Sequence, residues 1–233
     1  MSSVVVLAGG SPHAHDFPAI GTALALLVSE MGHVVQVVAN PDQAAALLDD
    51  ADSNPVDALV IDGLWWRMLG EAYQDWRDEF GYSPSQLTRD TLTSFVNDGG
   101  GLVALHTTAI CFDDWPQWGD VVGGSWQWGT SAHPPLGPVA ARVVGQHQIV
   151  AGLPDEFALR DEVYGDMVID DDVNVLAVAK RHDDDADQPV VWSHMYGLGR
   201  VVFDGFGHDV ASLRQPHHSQ LIEQALTWVL GGK

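Results

Sequence analysis

The chain alternates between short apolar runs and segments in which apolar residues recur at helical spacing. The mainly apolar runs cover residues 4–7, 33–38, 57–62 and 102–105. Each has the length and hydrophobicity of a parallel strand that is covered on both faces. The helical segments cover residues 18–31, 41–50 and 83–97. This order predicts an α/β fold, a three-layer sandwich whose mostly parallel central sheet is flanked by helices, in a flavodoxin-like arrangement.

The second half of the chain predicts strands of mixed direction. Its strand candidates are residues 139–144, 174–180, 189–195 and 200–206. Acidic or glycine-containing turns separate the last three, which favours antiparallel or mixed pairing. A final helix is predicted at residues 217–230. Because no linker, repeat or low-complexity segment interrupts the chain, we expect one domain over residues 1–233.

Two histidines follow predicted strands directly. His106 ends the apolar run at 102–105, which three glycines precede, and His208 follows the run at 201–206. In open α/β sheets, ligands bind just outside the carboxyl ends of the strands. If the two strands are parallel neighbours, His106 and His208 converge at one edge of the sheet.

Charge and cysteine content narrow the class of partner. The chain has 10 Lys and Arg against 32 Asp and Glu, a formal net charge of −22. We therefore expect neither nucleic acid nor an anionic membrane surface as a partner. No apolar run approaches the length of a membrane span, and the start of the chain does not resemble a signal peptide. The single cysteine, Cys111, cannot pair within the chain, which favours a reducing, cytoplasmic location.

Three kinds of chemistry can be weighed from the residues. Nucleophilic catalysis is disfavoured, because no Gly-x-Ser-x-Gly motif occurs and the hydrophobic neighbours of Cys111 predict a buried thiol. The spacing His13-x-His15 and the pair His217-His218 match no strong metal signature, so a divalent metal is left open. In the third alternative, His106 and His208 transfer protons while nearby acids orient an imidazole.

Five short motifs in a fixed order resemble a known family. They are residues 99–106, the loop with Trp126 and His133, residues 152–164, residues 196–203 and residues 207–209. In this order they resemble the ThuA-like, or trehalose-utilisation, family, whose members are similar to the class I glutamine amidotransferase fold. In amidotransferases the turn after the strand carries a cysteine nucleophile, and His106 occupies that place here. The resemblance therefore implies that thiolate-dependent glutamine hydrolysis is absent, that His208-Asp209 is similar to the retained His-acid pair, and that the substrate is a carbohydrate or an oxidised sugar.

The sequence thus predicts an enzyme that acts on a trehalose-related sugar or keto-sugar by hydrolysis, elimination or isomerisation. The predicted catalytic residues are His106, His208, Asp209 and Glu162. The predicted substrate-binding residues are His15, Trp126, His133, Tyr164 and His217. The alternatives are a non-catalytic sugar-binding or sensing protein and a metal-dependent hydrolase. A small-molecule carbohydrate is the expected partner, and a homo-oligomer is left open.

Overall fold

The computed structural model describes residues 1–13, 15–50, 55–182 and 185–231. The strands are β1 (Ser3–Gly10), β2 (Val34–Val38), β3 (Ala58–Leu64), β4 (Gly101–Leu105), β5 (Gly124–Ser125), β6 (Gly137–Val143), β7 (Glu156–Asp161), β8 (Val168–Ile169), β9 (Asn174–Ala179), β10 (Gln188–Tyr196) and β11 (Gly199–Asp204). The α-helices are α1 (Phe17–Glu30), α2 (Pro41–Asp49), α3 (Gln74–Phe80), α4 (Gln86–Asn97), α5 (Gln117–Val122), α6 (Val210–Leu213) and α7 (Pro216–Val229). Short 3-10 helices cover Glu71–Tyr73, His106–Ile110 and Gln148–Val150.

Within the described residues, one sheet of nine strands has the order β2-β1-β3-β4-β11-β10-β9-β6-β7. The five strands from β2 to β11 pair in parallel. The remaining pairs, from β11 through β10, β9 and β6 to β7, are antiparallel. The predicted α/β fold is confirmed, and so is the mixed pairing of the second half.

Helices cover both faces of the sheet because successive strand residues point to opposite sides. Val4 and Val6 pack in the core that contains the buried faces of α1 and α7. Val5 and Leu7 pack in the opposite core, with α2, α4 and α5. All four valine and leucine side chains are at most 2% exposed. Burial of each contributes about 1.5–3 kcal/mol relative to an exposed side chain, so the two cores hold the sheet between its helical layers.

Strand β7 was missing from the sequence prediction, which interpreted this segment as a polar cluster. Its residues alternate between exposed and buried, with Phe157, Leu159 and Asp161 inside. β7 pairs antiparallel with β6 at the edge of the sheet, which is why one of its faces is solvated. The polar residues on that solvated face are typical of a half-buried strand with a period of two.

The topology brings several strand ends to one edge of the sheet. β1, β4 and β11 run in the same direction, and the successive reversals from β11 through β10, β9 and β6 leave β7 pointing the same way. The segments after these four strands therefore meet at one edge. Among the described residues, no helix is both long and apolar enough to cross a membrane.

Candidate active site

Four polar residues converge at this edge, each from the segment that follows a different strand. His15 follows β1, His106 directly follows β4, Glu162 directly follows β7, and His208 follows β11. One side-chain nitrogen or oxygen of each residue lies within 4.8 Å of those of the other three. We call these four residues the histidine cluster. The predicted convergence of His106 and His208 is thus present, since β4 and β11 are parallel neighbours.

His106 lies at the bottom of the cluster. Its side chain is fully buried, and its backbone φ of 45° lies in the left-handed region that non-glycine residues rarely adopt. This conformation turns the chain from β4 into the 3-10 helix His106–Ile110. Such backbone strain is often found at functional sites, where the surrounding structure holds it in place.

The ring of His106 is oriented by a backbone carbonyl. Its Nδ1 lies 3.0 Å from the oxygen of Gly205, which can only accept a hydrogen bond, so Nδ1 carries a proton. Nε2 faces the cluster, 3.2 Å from His15 Nε2 and 3.0 Å from the Tyr164 hydroxyl. Burial raises the pKa of Tyr164 well above its usual value, with the nearby acids acting in the same direction. The hydroxyl therefore stays protonated and can donate to Nε2.

Glu162 is the acidic member of the cluster, and three imidazoles surround its carboxylate. Its Oε2 lies 3.4 Å from His133 Nδ1, 3.5 Å from His208 Nδ1 and 3.6 Å from His106 Nε2. Burial alone would raise the pKa of Glu162, but the hydrogen bonds to His106 and His208 outweigh it, and the pKa is lowered. The carboxylate is thus held in its ionised form.

The imidazoles of the cluster differ in their affinity for protons. Burial, together with the neighbouring His106 and His208, lowers the pKa of His15 to about 3. Burial also opposes a charge on His106, but Glu162 and the acids behind it outweigh burial and raise the pKa of His106 to about 9. The cluster therefore favours one positive charge at its centre and disfavours a second.

Behind His106 lies a network of buried polar residues that the sequence analysis did not identify. The carboxylate of Asp161 lies 3.9 Å from His106 Nδ1 and accepts hydrogen bonds from the Gly207 amide and the Ser212 hydroxyl. The His218 Nδ1–H donates to the Ser212 carbonyl at 2.9 Å, and His218 Nε2 lies 3.0 Å from Asp204 Oδ2. This network anchors the turn after β11 that carries His208.

Asp62, near the end of β3, is a second acid in this buried layer. Its side chain is fully buried, and neither carboxylate oxygen has a hydrogen-bond partner among the described residues. Burial raises the pKa of Asp62 to about 8. An apolar run that ends in a polar residue at this edge is the same signal that identified His106, so Asp62 could have been found from the sequence.

A cavity of about 300 Å³ opens above the cluster. The aromatic part of its wall consists of Trp66, Tyr73, Trp126 and Trp128. Its polar lining includes His15, His133, Glu162, Tyr164 and His208. This volume lies at the lower end of the range for small-molecule sites, and aromatic walls with a few convergent polar groups are typical of such sites.

Two predicted site residues lie outside this arrangement. Asp209 caps helix α6, because its Oδ1 accepts the Ser212 amide at 2.8 Å, and it does not line the cavity. His217 is exposed on α7, where its ring packs near Phe157. The phase of α7 turns the neighbouring His218 inward instead. The other seven predicted site residues, His15, His106, Trp126, His133, Glu162, Tyr164 and His208, lie in the cluster or around its cavity.

The lone thiol is not part of the cluster. Cys111 is buried, and its Sγ donates to the Gly63 carbonyl at 3.0 Å. Burial raises the pKa of the thiol to about 12, so it is not a thiolate at neutral pH.

Comparison with known proteins identifies the family of this fold and sequence. A ThuA-like protein from Parabacteroides merdae ATCC 43184 has a TM-score of 0.76 at 19% identity, covering 100% of this chain and 91% of that chain. A ThuA-like protein from Bacteroides uniformis ATCC 8492 has a TM-score of 0.72 at 17% identity, covering 97% and 90%. A protein described as a GMP synthase subunit from Thermoplasma acidophilum has a TM-score of 0.55 at 14% identity, covering 98% and 96%. At these identities the likeness establishes the fold, which includes the amidotransferase-like arrangement.

No curated protein matches the chain in sequence. The sequence model of the ThuA family, described as trehalose utilisation, matches residues 4–229. The chain therefore belongs to the ThuA family.

Proposed function

We propose that the chain is an enzyme of carbohydrate metabolism that acts on a trehalose-related sugar or a keto-sugar in the cavity above the histidine cluster. The observation that carries this proposal is the convergence of three imidazoles and a carboxylate beneath an aromatic-lined cavity. Membership of the ThuA family, described as trehalose utilisation, supports a role in sugar metabolism.

The cavity suits a neutral polar ring. The faces of tryptophan and tyrosine rings pack against the apolar C–H faces of a sugar, while polar side chains bind its hydroxyls. Trp126 stands edge-on to Tyr164 at a centroid distance of 5.4 Å and near His133 at 5.9 Å, so one aromatic wall adjoins the polar groups of the floor. A sugar against this wall would present its oxygens to Glu162 and His208.

The reaction class follows from the groups on the floor. Isomerisation or elimination of a keto-sugar begins when a base removes the proton next to the carbonyl and an acid protonates an oxygen. Glu162 and His208 both line the cavity and lie 3.5 Å apart, and His106 lies directly behind them. In the simplest mechanism, His106 and His208 exchange protons with the substrate while Glu162 orients them. Glutamine hydrolysis through Cys111 is not part of this proposal, because that thiol is buried away from the cluster.

The test is turnover by the whole chain of a panel that contains trehalose, other disaccharides and their keto derivatives, with product analysis by NMR. We expect at least one panel member to be converted, and Glu162→Gln and His208→Asn to lower turnover by about 10²-fold or more. The control is His217→Asn, which changes an exposed histidine outside the cavity and should leave turnover unchanged.

Two results would overturn the proposal. If panel sugars bind but are recovered unchanged after long incubation, the chain is a sugar-binding or sensing protein. If the variants of Glu162 and His208 stay folded by circular dichroism and keep full turnover, the reaction centre lies elsewhere.

A further inference from the structure

The ring nitrogens of the histidine cluster point at one another and at a carboxylate. His15 Nε2 lies 3.2 Å from His106 Nε2 and 3.0 Å from His208 Nδ1. Glu162 Oε2 lies 3.6 Å from the same His106 nitrogen and 3.5 Å from the same His208 nitrogen. The four contacts form a closed ring of four ligand-type atoms.

These separations match the spacing of ligands around one transition-metal ion. Imidazole nitrogen and carboxylate oxygen bind Zn²⁺ at about 2.0–2.2 Å, and ligands at that distance in a tetrahedron lie about 3.3–3.5 Å apart. The four observed separations of 3.0, 3.2, 3.5 and 3.6 Å lie on either side of this value. A point between the four atoms is thus at bonding distance from all of them.

The hydrogen bonds around the cluster leave lone pairs directed at this point. The Nδ1–H of His106 donates to the Gly205 carbonyl, which directs the lone pair of the neutral ring's Nε2 into the cluster. A ligating histidine commonly donates its other N–H to a carbonyl or a carboxylate in this way. The carboxylate of Glu162 can only accept. The Tyr164 hydroxyl, also 3.0 Å from His106 Nε2, is the nearest donor, and one donor cannot satisfy the whole ring.

We propose that His15, His106, Glu162 and His208 bind one divalent first-row transition-metal ion. Three imidazoles and one carboxylate suit Zn²⁺, Mn²⁺, Co²⁺ or Fe²⁺ better than Mg²⁺ or Ca²⁺, which prefer oxygen ligands. The buried carboxylates of Asp161 and Asp62 behind His106 add negative potential that favours a cation.

The ion would also face the substrate cavity. His15, Glu162 and His208 line that cavity, so a further coordination position is open to water or to a sugar oxygen. The proposal rests on the proposed function for the use of the cavity, and it changes the role of the imidazoles. They bind the ion, which polarises a sugar carbonyl or activates a bound water, and the proton is transferred by that water.

Metal binding can be measured without any substrate. The full chain is purified without an affinity tag, and its metal content is determined by mass spectrometry. After chelator treatment, binding of Zn²⁺ and Mn²⁺ is measured by calorimetry, and Co²⁺ binding by its visible absorption. We expect about one ion per chain, and a visible Co²⁺ spectrum that is lost when Zn²⁺ is added.

Two variants and a matched control locate the site. His208→Asn and Glu162→Gln should each weaken Zn²⁺ binding by at least the 10- to 100-fold that loss of an outer-shell partner costs. His13→Asn changes an exposed histidine that lies in the same loop as His15 but stacks on Trp76, and it should bind Zn²⁺ like the unmodified chain.

Two outcomes would overturn the metal site. One is that no ion binds with a stoichiometry near one, and the other is that the His208 and Glu162 variants bind Zn²⁺ as tightly as the His13 variant. A chain that binds the ion but converts no sugar would disprove the proposed function alone. A metal-free chain that converts sugar at the full rate would disprove the metal site alone.

Discussion

The hydroxyl of Tyr164 lies 3.0 Å from Nε2 of His106, and the two rings stack with centroids 4.7 Å apart and an interplanar angle of 25°. The contact joins residues that are 58 positions apart, one from the turn after β4 and one from the segment after β7. It closes the side of the histidine cluster nearest to Trp126. The tyrosine thus combines a packing role, through its ring, with a polar role, through its hydroxyl.

Tyr164→Phe separates these two roles. The ring and its stacking on His106 are retained, while the donor to Nε2 is lost. We expect turnover of a converted sugar to fall by about 10²-fold if the hydroxyl takes part in proton transfer. The free energy of unfolding should change by only about 1 kcal/mol, the net value of one hydrogen bond. Steady-state kinetics and chemical denaturation measure the two effects, and an unchanged kcat in the folded variant would assign the residue to packing alone.

The sequence predicted the centre of this site because local patterns determine it. An apolar run that ends in a polar residue places that residue at the edge of a parallel sheet, and this rule located His106 and His208. His15 reaches His208 across 193 residues, at 3.0 Å. That contact depends on the order β1-β3-β4-β11 in the sheet. Strand order is a property of the whole fold, so residue spacing alone could not predict this pairing.

The sequence misplaced residues whose position depends on the phase or start of a helix. Asp209 was interpreted as half of a His-acid pair, but it caps a helix of four residues, too short to show an apolar period. His217 and His218 differ by one position on α7, and a rotation of about 100° per residue turns one outward and the other inward. The buried stripe of α7 includes Leu221 and Ile222, which lie three and four residues from His218 and could have indicated which of the two is inside.

Trp126→Ala tests whether the aromatic wall binds the sugar. Trp126 is half-buried beside Tyr164 and His133, and removing its ring takes away one apolar face of the cavity. We expect the Kd of a panel sugar to rise about 10-fold, which corresponds to about 1.4 kcal/mol. Calorimetry on the folded variant measures this change.

The control for that experiment is Trp76→Ala, because Trp76 is also partly exposed but does not line the cavity. It should leave the Kd unchanged. Equal weakening by both variants would show that the sugar does not depend on the Trp126 wall.

Asp62→Asn should stabilise the protein at neutral pH. The folded state raises the pKa of Asp62 to about 8 from an ordinary value of 3.8, so between about pH 4 and 8 it keeps a proton that the unfolded chain has lost. Over that range each pH unit costs the unmodified protein at most about 1.4 kcal/mol, a penalty that asparagine does not have. The difference in the free energy of unfolding should therefore widen, in favour of the variant, from pH 5 to pH 8.

Denaturant titrations at pH 5, 6, 7 and 8 measure this slope. Asp49→Asn is the matched control, because Asp49 is on α2 outside the buried layer and is solvated in both states, so its difference from the unmodified protein should stay flat. A flat difference for Asp62→Asn as well would mean that Asp62 is ionised in the folded protein.

His218→Gln tests the buried network behind the cluster and its dependence on pH. Burial opposes a charge on His218, but Asp204 at 3.0 Å outweighs it and raises the pKa of the imidazole above 6.5. A raised pKa in the folded state gives stability that is fully present below pH 6.5 and is lost as the pH rises through the folded value. We expect the variant to lose about 3–5 kcal/mol at pH 6, the cost of breaking a buried ion pair, and less at pH 9. His217→Gln, at the exposed neighbouring position, should follow the unmodified protein at both pH values. A loss for His218→Gln that is the same at pH 6 and pH 9 would show that His218 is neutral in the folded protein and acts only as a hydrogen-bond partner.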